Sequence, residues 1–374
     1  MTMQRAAQIG LLLLALALVG IRAHGESASA RVLVFTPTTE DNSYWPQVYE
    51  ILEAAAEDLG IELISYEFPV EDRYAKHTEG VRILNRTRNV DGAILSVAFG
   101  QTGPLLDAAE RRDIPVLIQG PLFESELPEL GNEPRRLYEN WIGSFHQDEF
   151  EKGRRLGEIL IEQATPTDGV GRTGEIGVVG IGGDETWYGS QQRAAGLKEA
   201  VRNEPRATLL QVVPTQWTET EGRRIAAGLL NRYPELSVIW AASDQLAIGA
   251  LQEVQDRGVR VGEDIFIGGL DLSTRGLQYV ERGQLTATVA STLLGYAEIL
   301  VYLYDYIHGH DFAPEVGTDI RLDVHVATQT TADRYLHLYA AVHAIDFRAL
   351  SRAHNESLKA YDFSLDAYTS ALNQ

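Results

Sequence analysis

The chain contains 374 residues, of which 44% are hydrophobic, and it carries a formal net charge of −21 at pH 7 with no cysteine. This length exceeds that of an ordinary single domain, and the apolar content suffices for buried cores, so general disorder is excluded and two lobes are favoured. An acidic chain without a basic cluster excludes a nucleic-acid partner, because binding to phosphates requires a stripe of lysine and arginine. The lack of cysteine excludes disulfides, thiolate catalysis and a lipid-modified N-terminal cysteine.

The N-terminal segment has the pattern of a signal peptide. Arg5 precedes an apolar run of 13 residues from Ile9 to Ile21, and small residues follow at 23–25 and 28–30. The run is shorter than the roughly 20 residues that a membrane-spanning helix needs, which disfavours the alternative of an uncleaved anchor. We expect residues 1–25 to be removed when the protein is exported.

From residue 31 onward the chain alternates short apolar runs with amphipathic stretches of helical length. In the first such stretch Pro46 suits the first turn of a helix, apolar residues recur at helical spacing to Leu59, and Gly60 provides a stop. Strands that are apolar throughout predict parallel sheets covered by helices on both faces. The predicted strands are residues 31–36, 61–66, 92–97, 115–119, 141–145, 176–179, 209–213, 238–241, 265–269, 287–290 and 320–326.

The C-terminal tail has a different pattern from the rest of the chain. Residues 331–374 contain no strand-like run, and their aromatic and aliphatic residues suggest two helices broken near Asp346. We expect a helical extension that packs on a lobe or contacts a partner.

Catalytic and cofactor-binding motifs are absent from the sequence. The run from Gly177 to Gly183 follows a strand, but the third glycine of a dinucleotide fingerprint falls on Glu185, so a tight turn is expected. His308 and His310 could chelate a metal, but no third ligand lies nearby, and a loop is expected instead. No metalloprotease, Walker A, nucleophile-elbow or Ser/His/Asp pattern occurs. We therefore expect no enzymatic activity, no cofactor and no metal.

Aromatic and polar residues instead follow the predicted strands, which is where open α/β sheets bind ligands. Flat aromatic faces stack on a sugar ring, and carboxylates and arginine forks hydrogen-bond its hydroxyl groups. The residues are Asn42, Tyr44 and Trp45 after the first strand, Trp187 and Arg193 after residues 176–179, Trp217 after 209–213, Ser243 and Asp244 after 238–241, Asp271 after 265–269, and Ser291 after 287–290. Their joint placement predicts one ligand-binding crevice.

Several of these residues also have a structural explanation. Asp244 stands where the N-cap of a helix is expected, Tyr44 could belong to the core, and Ser291 carries no signal by itself. Arg193 and Trp217 are the least easily explained by structure alone.

A series of short segments occurs in an order and spacing that is typical of one family. They are Asn42-Ser43-Tyr44-Trp45, residues 113–117 (Asp-Ile-Pro-Val-Leu), Asp148 followed by Gly153 and Gly157, residues 193–197 (Arg-Ala-Ala-Gly-Leu), 242–250, 268–271 and 283–289. From about residue 31 to residue 328 the chain resembles the type I periplasmic binding proteins, the ribose/galactose-binding group, which is also related to the lac-repressor core.

The resemblance implies two lobes joined by three crossings, with the ligand between them. We expect an N-terminal lobe of residues 31–145 with 292–320, a C-terminal lobe of residues 146–291 with 321–330, and the helical extension at 331–374. It also implies residence in the periplasm and an α/β fold with two doubly wound parallel sheets.

The resemblance assigns roles to individual positions. Arg193 matches the family's binding arginine, Trp217 its stacking aromatic and Asp271 its binding aspartate. Serines stand at two positions where longer amides are usual, and Gly120-Pro121 replaces a polar contact beside Gln119, which predicts a larger or wetter pocket. The predicted ligand-binding set is Asn42, Tyr44, Trp45, Gln119, Asp148, Trp187, Arg193, Trp217, Ser243, Asp244, Asp271 and Ser291.

The segment Ser43-Tyr44-Trp45 is also similar to the autoinducer-2 receptor branch, but that receptor's arginine is missing at Ser291. We expect a receptor that closes around a small polar ligand, such as a sugar, and presents it to an ABC permease or to a membrane sensor. The alternative is a receptor that acts only through a sensor. A cytoplasmic transcription regulator would need a helix-turn-helix in place of the leader, and an exported glycoside-modifying enzyme would need an acid/base pair that cannot be singled out.

Overall fold

The computed structural model describes residues 30–38, 44–69, 75–96, 101–120, 122, 124–165 and 174–372. The predicted signal peptide and Asn42 lie outside the described residues. Twelve strands form two six-stranded sheets, each covered by helices. This is the predicted α/β architecture of two parallel-sheet lobes.

The first sheet has the strand order β11-β5-β4-β3-β1-β2, and its neighbouring strands are parallel. Its strands are β1 (Ala30–Thr38), β2 (Ile61–Pro69), β3 (Gly92–Ser96), β4 (Val116–Gln119), β5 (Trp141–Gln147) and β11 (Asp319–Leu322). The helices of this part are α1 (Tyr44–Leu59), α2 (Ala75–Arg86), α3 (Thr102–Glu110), α9 (Gly295–Ile307) and α10 (Ala313–Val316). Strand β3 is buried along its whole length, as expected for a sheet with helices on both faces.

The second sheet has the strand order β12-β10-β9-β8-β6-β7 and is parallel except for β12, which runs antiparallel to β10. Its strands are β6 (Ile176–Ile181), β7 (Ala207–Val213), β8 (Leu236–Ala241), β9 (Phe266–Leu270), β10 (Ala287–Ala290) and β12 (His325–Ala327). Its helices are α4 (Glu149–Ala164), α5 (Tyr188–Asn203), α6 (Glu219–Arg232), α7 (Asp244–Asp256) and α8 (Thr274–Glu281).

Helices α4 and α5 approach each other closely because glycine stands at their crossing. A Cβ on Gly153 would lie 2.0 Å from the carbonyl oxygen of Arg193, and a Cβ on Gly196 would lie 2.1 Å from that of Phe150. Only glycine permits this approach. The consequence for the site is that the start of α4 lies directly against the turn of α5 that carries Arg193.

The predicted strands are all present, and several run two or three residues longer than expected. The predicted strand at 320–326 is instead two strands. Strand β11 of the first sheet ends at Leu322, and strand β12 of the second sheet begins at His325. The chain therefore changes sheets at Asp323-Val324. The exact lobe boundaries stay a prediction, since β5 also extends to Gln147 in the first sheet.

The C-terminal tail packs on helices of both sheets. Helix α11 (Ala332–Ala340) lies on α8 of the second sheet, and a 3-10 turn at Val342–Ala344 lies on α1 of the first sheet. The hydroxyl of Tyr339 accepts a hydrogen bond from the backbone nitrogen of Leu293, just after the expected crossing between the lobes at residues 291–292. The tail thus spans the seam between the lobes.

The second predicted tail helix is shorter than expected. It is confined to α12 (Leu365–Ser370), after a further 3-10 turn at Arg348–Leu350. The backbone N–H groups of Arg352 and Ala353 donate to the buried carboxylate of Asp305 instead of continuing a helix. No helix within the described ranges is long and apolar enough to cross a membrane.

Candidate functional site

The first lobe contributes an aromatic and amide cluster at the carboxyl ends of its strands. Tyr44 and Trp45 begin α1, and their rings meet edge to face with centroids 5.2 Å apart. Trp45 also meets the ring of Tyr296 at 6.1 Å. Gln119, the last residue of β4, donates from Nε2 to the Tyr296 hydroxyl at 2.9 Å. The structure therefore brings Tyr44, Trp45 and Gln119 together around Tyr296, a residue that sequence reasoning missed.

Polar contacts lead from this cluster to the second lobe. Gln147 ends β5, and its Nε2 atom lies 3.5 Å from the hydroxyl of Tyr44. The Nζ atom of Lys152 donates to Oε1 of Gln147 at 2.8 Å. Lys152 belongs to α4, which covers the second sheet, so Gln147 links the two groups of side chains.

Arg193 is the centre of the second-lobe group, where it is buried on α5. Its Nε atom donates to Oε2 of Glu149 at 2.6 Å, and Nη1 donates to the carbonyl oxygen of Ala242 at 2.6 Å. Nη1 also lies 3.4 Å from Oδ1 of Asp271. These contacts fix the plane of the guanidinium group and join residues from three separate strand ends.

Two tryptophan rings pack against this guanidinium and against each other. The Cζ atom of Arg193 lies 5.1 Å from the ring centroid of Trp187 and 5.8 Å from that of Trp217, within the range of cation–π attraction. The two rings lie 5.9 Å apart at an interplanar angle of 71°. Gly183 makes room for this arrangement, because a Cβ there would lie 1.8 Å from the ring of Trp217. Both rings are partly exposed.

The charges of the second-lobe group balance one another. Burial lowers the pKa of Lys152 to about 8, with Arg193 adding to this effect and Glu149 opposing it. Burial would raise the pKa of Glu149, but Arg193 and Lys152 outweigh burial and lower it. Burial also raises the pKa of Asp271, against the attraction of Arg193 and Lys152. Two cations and two carboxylates thus share one buried network.

Asp244, the first residue of α7, and Asp271, which precedes α8, influence each other electrostatically beside this network. Asp271 has a φ of 127°, a conformation that non-glycine residues rarely adopt. Asp244 accepts hydrogen bonds at Oδ2 from the backbone nitrogen and the hydroxyl of Ser273, at 2.9 and 2.7 Å. Burial and then the charge of Asp271 raise the pKa of Asp244. These contacts fit the structural explanation of Asp244, which holds the loop that carries Asp271.

Three further predicted residues make local contacts at the crossings and helix starts. Ser243 caps α7 by accepting from the backbone nitrogen of Leu246 at 3.2 Å. Asp148 caps α4 and lies 3.4 Å from Arg321 of β11. The Ser291 hydroxyl donates to the carbonyl oxygen of Leu322 at 3.2 Å. The contacts of Asp148 and Ser291 connect segments at the crossings between the sheets, whereas Ser243 caps a helix of the second lobe.

Glu149 and Lys152 are the second-lobe residues that the sequence analysis did not single out. They lie one and four residues after Asp148, which the sequence did mark, and both are buried. No group of three or more potential metal ligands occurs among the described residues. A separate cavity of about 750 Å³ lies at the opposite end of the second sheet and includes Tyr233 and Arg257, but none of the predicted site residues lines it.

Comparisons with known proteins agree with this architecture. The family profile of the periplasmic binding protein domain matches residues 33–309. The chain is 32% identical over 141 residues to the D-ribose/D-allose-binding protein of Pseudomonas aeruginosa, which is 36% of this chain and only 40% of that protein's length. It is 21% identical over 277 residues to the ribose import binding protein RbsB of Haemophilus influenzae, which is 73% of this chain and 84% of that protein.

A solved structure resembles nearly the whole described chain. The crystal structure of a periplasmic sugar-binding protein from Pseudomonas fluorescens superposes with a TM-score of 0.79 at 25% sequence identity, covering 91% of this chain and 99% of that one. The family profile spans most of the sequence and both sheets. The chain belongs to the periplasmic binding protein family, as a type I member of the ribose/galactose-binding kind.

Proposed function

We propose that this protein is an exported receptor that closes its two lobes around a small polar ligand, a sugar or a sugar-like molecule. The observation that carries the proposal is the position of Arg193 against the rings of Trp187 and Trp217 and beside Asp271. The rings offer flat apolar faces, and the charged groups offer hydrogen bonds at fixed angles. This combination suits a ring that carries hydroxyl groups.

The charge balance of the site favours an uncharged ligand. Arg193 already has Glu149 and Asp271 as partners, and Lys152 is bound to Glu149. An anionic or cationic ligand would compete with these pairs and would add an uncompensated charge to a buried network. A neutral sugar can accept from Arg193 and donate to Asp271 without disturbing the balance.

The opposite wall of the site would come from the first lobe. Tyr44 and Trp45 would contact the other face of the ligand, and Gln119 would hydrogen-bond it, together with Asn42, which follows β1 in the sequence. The two lobes would close about the crossings when the ligand binds, so that the closed form is the ligand-bound form. The hydrogen bond from Lys152 on α4 to Gln147 at the end of β5 supports the proposal, because it joins the second lobe to the first beside the site.

The bound receptor would present its ligand to a membrane partner in the periplasm. An ABC permease is the first candidate, because the relatives of this chain include ribose import binding proteins. The second candidate is a membrane sensor, and the receptor would then act without transport. The ordered tail across the lobe seam favours this second candidate, since lobe closure would alter a surface that a sensor could read. We propose no catalysis.

A thermal-shift screen tests the ligand class. Purified mature protein is heated with D-ribose, D-allose, galactose, arabinose, myo-inositol and furanosides, and compounds that raise Tm are titrated by calorimetry. We expect at least one sugar to raise Tm and to be recovered unchanged after long incubation. A screen in which no sugar stabilises the protein would contradict the proposed ligand class, and conversion of the sugar would contradict a purely binding role.

A further inference from the structure

Lys152 is a fully buried cation that lies behind the proposed ligand site. Its side chain is completely inaccessible to solvent. The ammonium group contacts Oε2 of Glu149 at 2.7 Å and donates to Oε1 of Gln147 at 2.8 Å. Burying an ammonium group is unfavourable unless it is paired and hydrogen-bonded. Packing alone does not explain a lysine at this position, because an apolar residue would fill the same space without the unfavourable burial of a charge.

One carboxylate oxygen of Glu149 contacts two cations at once. The same Oε2 atom that contacts Lys152 accepts a hydrogen bond from Nε of Arg193 at 2.6 Å. A change in the position or charge of the ammonium group therefore changes the carboxylate that orients the guanidinium. The other partner of Lys152, Gln147, ends a strand of the first sheet and contacts Tyr44.

We propose that Lys152 is a positioning residue of the ligand site. It fixes Glu149, and through Glu149 the guanidinium of Arg193, and it ties this group to Gln147 at the end of β5. The inference rests on the proposed function, because Arg193 matters in this way only if it binds the ligand. Lys152 acts through its neighbours and has no ligand contact of its own.

The charge of Lys152 is expected to depend on pH within an accessible range. The charged groups that face it are Glu149 on its own helix, Arg193 on α5 and Asp271 after β9. Burial, with a contribution from Arg193, lowers the pKa of Lys152 to about 8. As the pH rises through this value the ammonium group loses its proton. Arg193 then remains the only cation beside Glu149 within the described part of the chain.

A first test needs no ligand. Protein labelled with 5-fluorotryptophan is followed by fluorine NMR from about pH 6.5 to about pH 9.5, a range that brackets the lowered pKa. The signals are assigned by tryptophan-to-phenylalanine substitutions. In the wild type we expect the signals of Trp187 and Trp217 to shift with a midpoint of about 8, because both rings contact Arg193. The signal of Trp141, buried in the first sheet, should not shift.

Substitutions of Lys152 decide between positioning and mere packing. Lys152→Met should abolish the transition at both rings, and Lys152→Arg should abolish it while keeping the chemical shifts that the wild type has at low pH. Lys198→Met is the matched control, since Lys198 is exposed on the same helix as Arg193, and it should titrate like the wild type. A transition with a midpoint of about 8 that persists in Lys152→Met would overturn the proposal. If this variant does not fold, the Glu149→Gln/Lys152→Met double variant removes both charges together and should also lack the transition.

A second test measures binding of D-ribose and D-allose by calorimetry. At about pH 7 we expect Lys152→Met to weaken binding by about tenfold and Lys152→Arg to weaken it by less than about threefold. Raising the pH should weaken binding by the wild type toward the Lys152→Met value and leave the variant unchanged. Equal affinity of Lys152→Met and the wild type would overturn the proposal. If the wild type binds none of the sugars of the thermal-shift screen, the proposed ligand class fails, and the fluorine titration alone then decides whether Lys152 controls Arg193.

Discussion

The side-chain oxygen of Gln47 accepts a hydrogen bond of 2.8 Å from the backbone nitrogen of Thr274. Gln47 lies in the first turn of α1, on the first sheet, and Thr274 begins α8 on the second. The bond therefore joins the two lobes directly. The bond lies near the proposed ligand site, because Gln47 follows Tyr44 on α1 and Thr274 follows Asp271 at the start of α8.

The first prediction concerns this contact between the lobes. Gln47→Ala removes the acceptor and should weaken sugar binding by about threefold to tenfold, because a hydrogen bond of the closed form is lost. At the same sugar concentration, small-angle scattering should show a larger radius for the variant than for the wild type, because less of the variant is closed. Glu50→Ala, exposed on the same helix, is the control and should leave both measurements unchanged. An unchanged radius and affinity for Gln47→Ala would show that the contact does not hold the lobes.

The second prediction concerns the stacking surface. Trp217→Ala removes a ring beside Arg193 and should weaken sugar binding by about tenfold to a hundredfold, while Trp217→Phe should retain most of the affinity. Gln216→Ala, exposed at the neighbouring position, should bind like the wild type. Calorimetry measures all three. Full affinity in Trp217→Ala would exclude Trp217 from the ligand wall.

The sequence was most informative about elements with an unbroken apolar pattern. Buried strands such as β6 and β8 stand out because a parallel strand covered on both faces excludes polar residues. The run at 320–326 alternates apolar and polar residues, and it divides between two sheets. Hydrophobicity shows that a segment is buried but not in which sheet, so the crossing at Asp323-Val324 could not be located from the pattern.

The candidate site was predictable only for residues that follow strands. Arg193 and Asp271 occupy such positions, and the structure brings them within 3.4 Å of each other. Tyr296 is the second residue of the apolar helix α9, where a tyrosine looks like one more core residue. Glu149 and Lys152 have the ordinary i, i+3 spacing of a surface ion pair, and only the close packing of α4 on α5 buries them.

The third prediction concerns the anchor of the tail. The carboxylate of Asp305 accepts four hydrogen bonds from the segment after the second 3-10 turn: from the Ser351 hydroxyl at 2.5 Å, the backbone nitrogen of Arg352 at 2.7 Å, the Tyr361 hydroxyl at 2.9 Å and the backbone nitrogen of Ala353 at 3.1 Å. Asp305→Ala leaves these buried donors unpaired and should lower the free energy of unfolding by about 3 kcal/mol or more.

Urea denaturation measures the loss, and limited proteolysis should cut the variant within residues 351–361 before the wild type. Glu356→Ala, exposed in the same segment, is the control and should change stability by less than about 0.5 kcal/mol. A stable, protease-resistant Asp305→Ala variant would mean that the tail is held mainly by its apolar contacts.

The fourth prediction concerns the pH dependence of stability. Burial raises the pKa of Glu298 on α9 to about 7, against a hydrogen bond with Tyr302 that lowers it. A carboxyl group whose pKa is higher in the folded state than in the unfolded state binds more protons when folded. Its contribution to stability is therefore full below the unfolded value of about 4.3 and is lost as the pH rises through about 7.

Glu298→Gln cannot ionise and should remove this loss. We expect the variant to exceed the wild type in free energy of unfolding by about 1–3 kcal/mol at pH 8, and the two proteins to be similar near pH 4.5. Urea denaturation at a series of pH values measures the difference. A constant difference across the series would contradict a raised pKa for Glu298.

The central claim is that Arg193 and Asp271 bind the ligand. The most direct test is calorimetric titration of the sugar with the largest thermal shift into wild type, Asp271→Asn, Arg193→Lys and Arg202→Ala. Arg202 is exposed on the same helix as Arg193 and pairs only with a neighbouring surface glutamate among the described contacts. We predict that Arg202→Ala binds like the wild type and that Asp271→Asn and Arg193→Lys each bind at least about a hundredfold more weakly. Undiminished binding by both site variants would contradict the account.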